Sequence, residues 1–79
     1  MATIFRAGGL RVIIFVDDHE PAHVHVFGDG HAKINLVSRS GSPELVWSAG
    51  MNGAERRRAL SLVAEHRELF LARWEAIHG

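Results

Sequence analysis

The chain is predicted to adopt an α+β fold: a small antiparallel β-sheet of three to five strands in meander order, with one C-terminal amphipathic helix packed on one face. Three observations predict it. Between residues 3 and 48, short runs of alternating apolar and polar side chains are separated by glycine-rich turns. From Ala54 onward the spacing changes, with Leu60, Val63, Phe70, Trp74 and Ile77 recurring as one helical stripe. The whole chain is 79 residues, enough for one domain (sheet 3–48, helix 53–78) and no second.

Thr3-Ile4-Phe5-Arg6 reads as an edge strand, and Ala7-Gly8-Gly9 as a tight turn in which glycines accept positive φ. Leu10 to Val16 is rich in β-branched residues and forms the next strand. Asp17-Asp18-His19-Glu20-Pro21 is a polar connection, and the proline holds Glu20 extended. Ala22 to Phe27 alternates, with Val24 and Val26 on one side and His23, His25 and Phe27 on the other. Gly28-Asp29-Gly30 is a hairpin signal, and His31 to Val37 returns.

The apolar sets share a face only if Val26 pairs with Ala32 and Val24 with Ile34, because a slip of one residue would bury Lys33 and Asn35. The expected core is then Val12, Ile14, Val16, Val24, Val26, Ile34 and Leu36. The opposite face carries Arg11, Ile13, Phe15, His23, His25, Phe27, His31, Lys33 and Asn35. Ile13, Phe15 and Phe27 are out of place on a purely solvated face, so it reads as a second contact surface for a ligand, a partner or another copy of the chain.

After the loop Arg39 to Pro43, Glu44 to Ser48 is a further strand whose facing its apolar run leaves open. Asn52 with Glu55 three residues on matches a capping box. The helix then runs to the neighbourhood of Gly79, with a bend or break expected around His66. Trp47 and Trp74 read as core.

Composition bounds the function. Nine basic and nine acidic residues cancel, so attraction to nucleic acid would need a local patch. Without cysteine, disulfides and thiolate metal sites are excluded, which fits a reducing cytoplasm. The longest strongly apolar run, Val12 to Val16, is far short of a membrane span, and no secretory signal is expected from the first residues. A chain this short buries only about 60% of its unfolded surface, which favours an oligomer or a stable partner.

The chemistry concentrates at Asp17 to Val26. His23 and His25, two apart on a strand, lie about 6.6 Å apart along one side. Two imidazoles so placed can reach one metal ion, with His19, or Asp17 or Asp18, as a third ligand from the loop. The metal set His19, His23 and His25 is therefore one alternative, opposed by the Lys33 cation that faces His25. A metal-free alternative is acid–base chemistry by His23 and His25, with Lys33 or Arg11 stabilising a phosphate charge, as a ribonuclease needs. The plain alternative is that these histidines are half-buried surface groups stacked on Phe15 and Phe27. His19, Arg11, Phe27 and His31 complete the candidate binding set. Arg56-Arg57-Arg58 oppose the macrodipole at the start of the helix and are candidate contacts to an anion, RNA or an acidic partner; a solvated arginine face is the simpler account.

Thr3-Ile4-Phe5-Arg6, Gly8-Gly9-Leu10-Arg11, Asp18-His19-Glu20-Pro21-x-His23-Val24-His25-Val26, Ala32-Lys33-Ile34, and Arg67-Glu68-Leu69 with Trp74 together resemble the small prokaryotic family defined by domain of unknown function 4160. The resemblance runs nearly end to end, and its most specific part is Asp-His-Glu-Pro-x-His-x-His. It implies a compact cytoplasmic α+β protein encoded beside a second small gene, similar to a toxin–antitoxin pair, and implies no activity. Ala22 departs from the family's second proline, and the loop Arg39 to Pro43 looks longer than usual, which bears on how the following strand pairs.

The expected function is thus a toxin–antitoxin-like component acting through a protein partner and on RNA. The alternatives are a non-catalytic binding or inhibitory module, and a histidine-based site for a divalent metal.

Overall fold

Period-two alternation and paired glycines produce a five-stranded meander. In the computed structural model, which describes residues 2–79, β1 (Ala2–Ala7), β2 (Leu10–Ile14), β3 (His23–Phe27), β4 (His31–Asn35) and β5 (Glu44–Ala49) pair in chain order. Every pairing is antiparallel. Gly8 and Gly9 turn the first hairpin with φ of 57° and 79°, the mirror-image turn that matches strand twist.

Val24 faces Ile34, Val26 faces Ala32 and Val12 faces Val26, the register that the apolar pattern demands. These side chains, with Leu10, Ile14 and Leu36, form one face of the core. Fully burying such a side chain contributes about 1.5–3 kcal/mol. Val16 does not join them; it is 62% exposed. The strand ends at Ile14 because Asp18 folds back, its N–H donating to the Phe15 carbonyl, and the intervening turn points Val16 outward.

The core's second layer is helical. The sequence predicts one helix with a bend or break around His66; two separate helices are present, α1 (Gly53–Glu65) and α2 (Arg67–His78), divided at His66. Length supplies the reason. A straight helix over residues 53–78 would extend about 39 Å at 1.5 Å per residue, whereas the longest axis of the molecule is 34 Å. Breaking at His66, with φ −113° and ψ 21°, lets the second half turn back so that Phe70 and Trp74 join Ala59 and Val63 in the core. The His66 ring packs on Phe5, centroids 4.4 Å apart.

The capping box forms by half. Asn52 Oδ1 accepts from the Glu55 N–H at 2.8 Å, but Glu55 Oε2 accepts from the Asp29 N–H at 3.0 Å instead of reaching back to Asn52. Glu55 therefore ties the β3–β4 turn to the start of α1, where its charge also suits the helix dipole. Glu55→Ala would leave the Asp29 N–H without this partner and is expected to cost about 1–3 kcal/mol, read as a lower urea midpoint at unchanged m-value.

Two rows of side chains cross the sheet on the face away from the helices. Arg6, Arg11, Phe27, His31 and Ala49 are aligned in one, and Thr3, Ile13, His25, Lys33 and Trp47 in the next. The loop before β5 does not prevent its pairing with β4. A register shift between Lys33 and Ile34 places Leu45 opposite Ile34 and Trp47 opposite Lys33. Trp47, expected in the core, is consequently 42% exposed on the outer face, while Trp74 is buried. Ile13 is only 2% exposed although it belongs to that outer face, directly opposite Thr3 and His25.

Candidate functional site: a histidine–aspartate cluster and an aromatic row

The turn after β2 is closed by Asp18 in two ways. Its backbone N–H donates to the Phe15 carbonyl, and its Oδ2 accepts from the Phe15 N–H, both at 3.1 Å. This local closure, typical of aspartate in turns, brings the carboxylate back over the start of β3. There the same oxygen lies 3.3 Å from His23 Nε2 and 3.6 Å from His25 Nε2. One donor atom from each of Asp18, His23 and His25 falls within 4.8 Å of the other two. These three residues could hold a metal ion.

Each imidazole is oriented by a second contact. His23 Nδ1 donates to the Pro21 carbonyl at 2.9 Å, next to the cis Glu20–Pro21 peptide, and its ring packs 5.1 Å from Trp74. It is 3% exposed, so α2 seals the site from behind. His25 Nδ1 shares a hydrogen bond of 2.9 Å with His31 Nε2, and Phe15 meets the His25 ring edge-on at 4.8 Å. Burial holds the His25 imidazole below its ordinary pKa. Asp18 works in the opposite sense, and His23, His31 and Lys33 add to the depression. Burial lowers His31 as well.

From His31 the site continues as an aromatic row. Phe27 stacks on His31 at 4.0 Å, Trp47 meets it edge-on at 4.7 Å, and the Arg11 guanidinium lies 5.8 Å from the Phe27 centroid. Lys33 stands between His25 and Trp47 in register. His23, His25, His31, Phe27, Arg11 and Lys33 are thus brought to one region.

His19 is not among them: it is exposed in the turn and outside the donor cluster, where Asp18 takes the place proposed for it. The three arginines of α1 stand apart too. Arg56 donates to the Met51 carbonyl at 2.8 Å and Arg58 to the Gly8 carbonyl at 2.7 Å, while Arg57 is exposed. Arg57 and Arg58 border an open cleft of about 500 Å³ between the first hairpin and α1, which no histidine lines.

Sequence reasoning did not single out Arg6 and Trp47 as members of the outer face. Arg6 was legible, since the two-glycine turn sets it opposite Arg11. Trp47 depends on the bulge in β5, which leaves no trace in the residue pattern.

A five-stranded meander backed by two helices, with a His/His/Asp cluster opening onto its uncovered face, defines a small α+β protein whose polar site lies on the sheet. The model of the family "Domain of unknown function (DUF4160)" matches residues 9–75, and the chain belongs to that family. No curated protein and no solved structure matches the chain. No helix among the described residues is long and apolar enough to cross a membrane.

Proposed function

We propose that the protein is one component of a toxin–antitoxin-like pair, and that it works by holding single-stranded RNA on the uncovered face of its sheet. The observation that carries this reading is the composition of that face. Arg6, Arg11 and Lys33 share it with Phe27, His31 and Trp47, and between them these six residues come from all five strands. Glu44 is the one acid among the described strand residues on that side. A neutral chain thereby has a local basic patch, and aromatic faces supply sequence-tolerant stacking worth about 1–3 kcal/mol per base.

The test is fluorescence anisotropy of untagged protein with a labelled 12-nucleotide RNA at low salt. Binding is expected, weakening about 5- to 150-fold in Trp47→Ala, the range that corresponds to loss of one stacked base. Arg11→Ala should weaken it and flatten its salt dependence. Absence of binding, or binding indifferent to both substitutions, overturns the RNA reading. In cells, expression should arrest growth, and the arrest should be lost in His23→Ala and His25→Ala if the histidine site is the effector.

A second reading has its own support. Val46 and Trp47 are exposed on β5, an edge strand with open backbone groups, which suits a protein partner. A non-catalytic inhibitory or regulatory module would co-purify with a stoichiometric protein and retain no RNA.

A further inference from the structure

We propose that Asp18 Oδ2, His23 Nε2 and His25 Nε2 form a three-ligand site for one divalent first-row transition-metal ion of the zinc class, with at least one coordination position left open. The site shares His31 with the proposed RNA face, but it is tested without RNA and stands or falls by its own measurement.

Hydrogen-bond direction is the first ground. A carbonyl oxygen only accepts, so the 2.9 Å contact to the Pro21 carbonyl fixes the proton of His23 on Nδ1. The neutral ring then presents a bare lone pair at Nε2, and that atom faces a carboxylate oxygen at 3.3 Å. Two acceptors do not approach so closely unless something positive lies between them. The two lone pairs of Oδ2 could take a proton from each ring; a single metal ion accounts for both contacts at once, since His25 Nε2 converges on the same oxygen, 3.6 Å away.

Distance is the second ground. Ligands about 2.0–2.1 Å from a tetrahedral ion are separated by roughly 3.3 Å. The two Asp18 contacts are close to that spacing, and the imidazole nitrogens, within 4.8 Å of each other, would have to approach by at most about 1.5 Å.

The outer contacts are the third ground. Metal-bound imidazoles donate their remaining N–H to a carbonyl, a carboxylate or another acceptor, which fixes ring and tautomer. His23 does so to Pro21, and His25 Nδ1 has His31 Nε2 in place at 2.9 Å. Across the strands from His23, Asn35 holds a buried Oδ1 with no hydrogen-bond partner among the described residues.

The choice of ion follows from the donors. Two imidazoles with one carboxylate suit zinc, iron, cobalt or nickel, whereas magnesium and calcium require oxygen cages. Lys33, facing His25 across the strands, adds a positive charge. It weighs most against a hard ion held by charge alone and less against one held by imidazole bonds.

The experiment uses the full untagged chain, stripped with chelator and titrated with Zn²⁺ and, as a spectroscopic probe, Co²⁺. One equivalent should bind, with a raised melting temperature and a Co²⁺ visible spectrum of low coordination number; Mg²⁺ should not compete. His25→Ala should weaken Zn²⁺ binding at least 100-fold. His31→Phe, which keeps the stack on Phe27 but removes the acceptor for His25, should weaken it about 10- to 100-fold. His19→Ala should leave it unchanged. Because His23 is buried and its loss could disturb the fold, Asp18→Asn serves as the second ligand variant. It retains an oxygen for the Phe15 N–H, and circular dichroism verifies its fold. No Zn²⁺ binding at 100 µM, or binding insensitive to both His25→Ala and Asp18→Asn, overturns the proposal.

Discussion

Gly30→Ala is expected to destabilise the protein by about 3 kcal/mol, the upper part of the range for overpacking a dense site. A Cβ on residue 30 would stand 2.3 Å from the Ala49 carbonyl oxygen, 2.4 Å from the Gly50 carbonyl carbon and 2.6 Å from its oxygen. All three are backbone atoms, so no rotamer change relieves the clash. The ends of β4 and β5 must separate, with loss of the His31–Ala49 pairing and of the entry into α1 that Gly50 makes at φ 72°. For a domain of this size that corresponds to a melting temperature lower by about 12–24 °C. Gly53→Ala is the matched control. Its Cβ would meet only the ends of two flexible side chains, Arg57 Nη1 at 3.3 Å and Arg56 Nη2 at 3.7 Å, and alanine is the better helix former, so stability should hold or rise. Equal losses in the two variants would show that the close approach at Gly30 is not what constrains this corner.

Much of the sheet was legible because a one-residue slip carries a large penalty. Moving Lys33 and Asn35 into the position of Ala32 and Ile34 would bury a cation and an amide in an apolar layer, so the pattern admits one register. The histidine face was legible in part by the same rule: once Val24 and Val26 go inward, His23 and His25 take the other side, but α2 covers His23 with Trp74, which alternation does not reveal. Periodicity is silent, however, where geometry breaks. Val16 continues the apolar run of β2, yet the Asp18 turn ends the strand before it. Trp47 changed sides through a bulge in β5. The stripe from Leu60 to Ile77 reads as one helix bent or broken near His66, and the shortness of the body it packs on makes that a full break into two helices.

The site shows the same division. Its histidines could be named from spacing, but the carboxylate that joins them could not be chosen among Asp17, Asp18 and a third histidine at His19. Three loop residues in sequence offered equal chemistry. The choice was made by the turn, in which only Asp18 bonds Phe15 and points back over the strand. His31 is a related case. Six residues from His25 in sequence, it becomes its hydrogen-bond partner across the hairpin and links the polar cluster to the Phe27 and Trp47 row. A ligand lying along that row would therefore touch the residue that orients His25. The two halves of the outer face are mechanically one.

Phe70→Ala is expected to have the largest effect of any single truncation, about 3–5 kcal/mol. Phe70 is wholly buried and is the largest of the fully buried side chains. It is also where α2 joins the rest of the core, its ring 5.7 Å from Phe5 edge-on and 6.0 Å from His66. A domain of 79 residues is stable by roughly 4–12 kcal/mol, so the loss takes from about a quarter to all of it, and the melting temperature should fall by about 12–40 °C. Urea unfolding at 10 °C, where native protein remains, would give the shift in midpoint. Because α2 packs Trp74 against His23, the variant should also lose order at the histidine cluster, seen as collapse of the dispersed imidazole proton resonances. The Phe5–Phe70 contact can be isolated by a double-mutant cycle of the two leucine variants, with an expected coupling of about 0.5–1.5 kcal/mol. A Phe70→Ala protein that melts within a few degrees of the parent would mean that α2 is not anchored through this ring, and that the break at His66 serves no packing purpose.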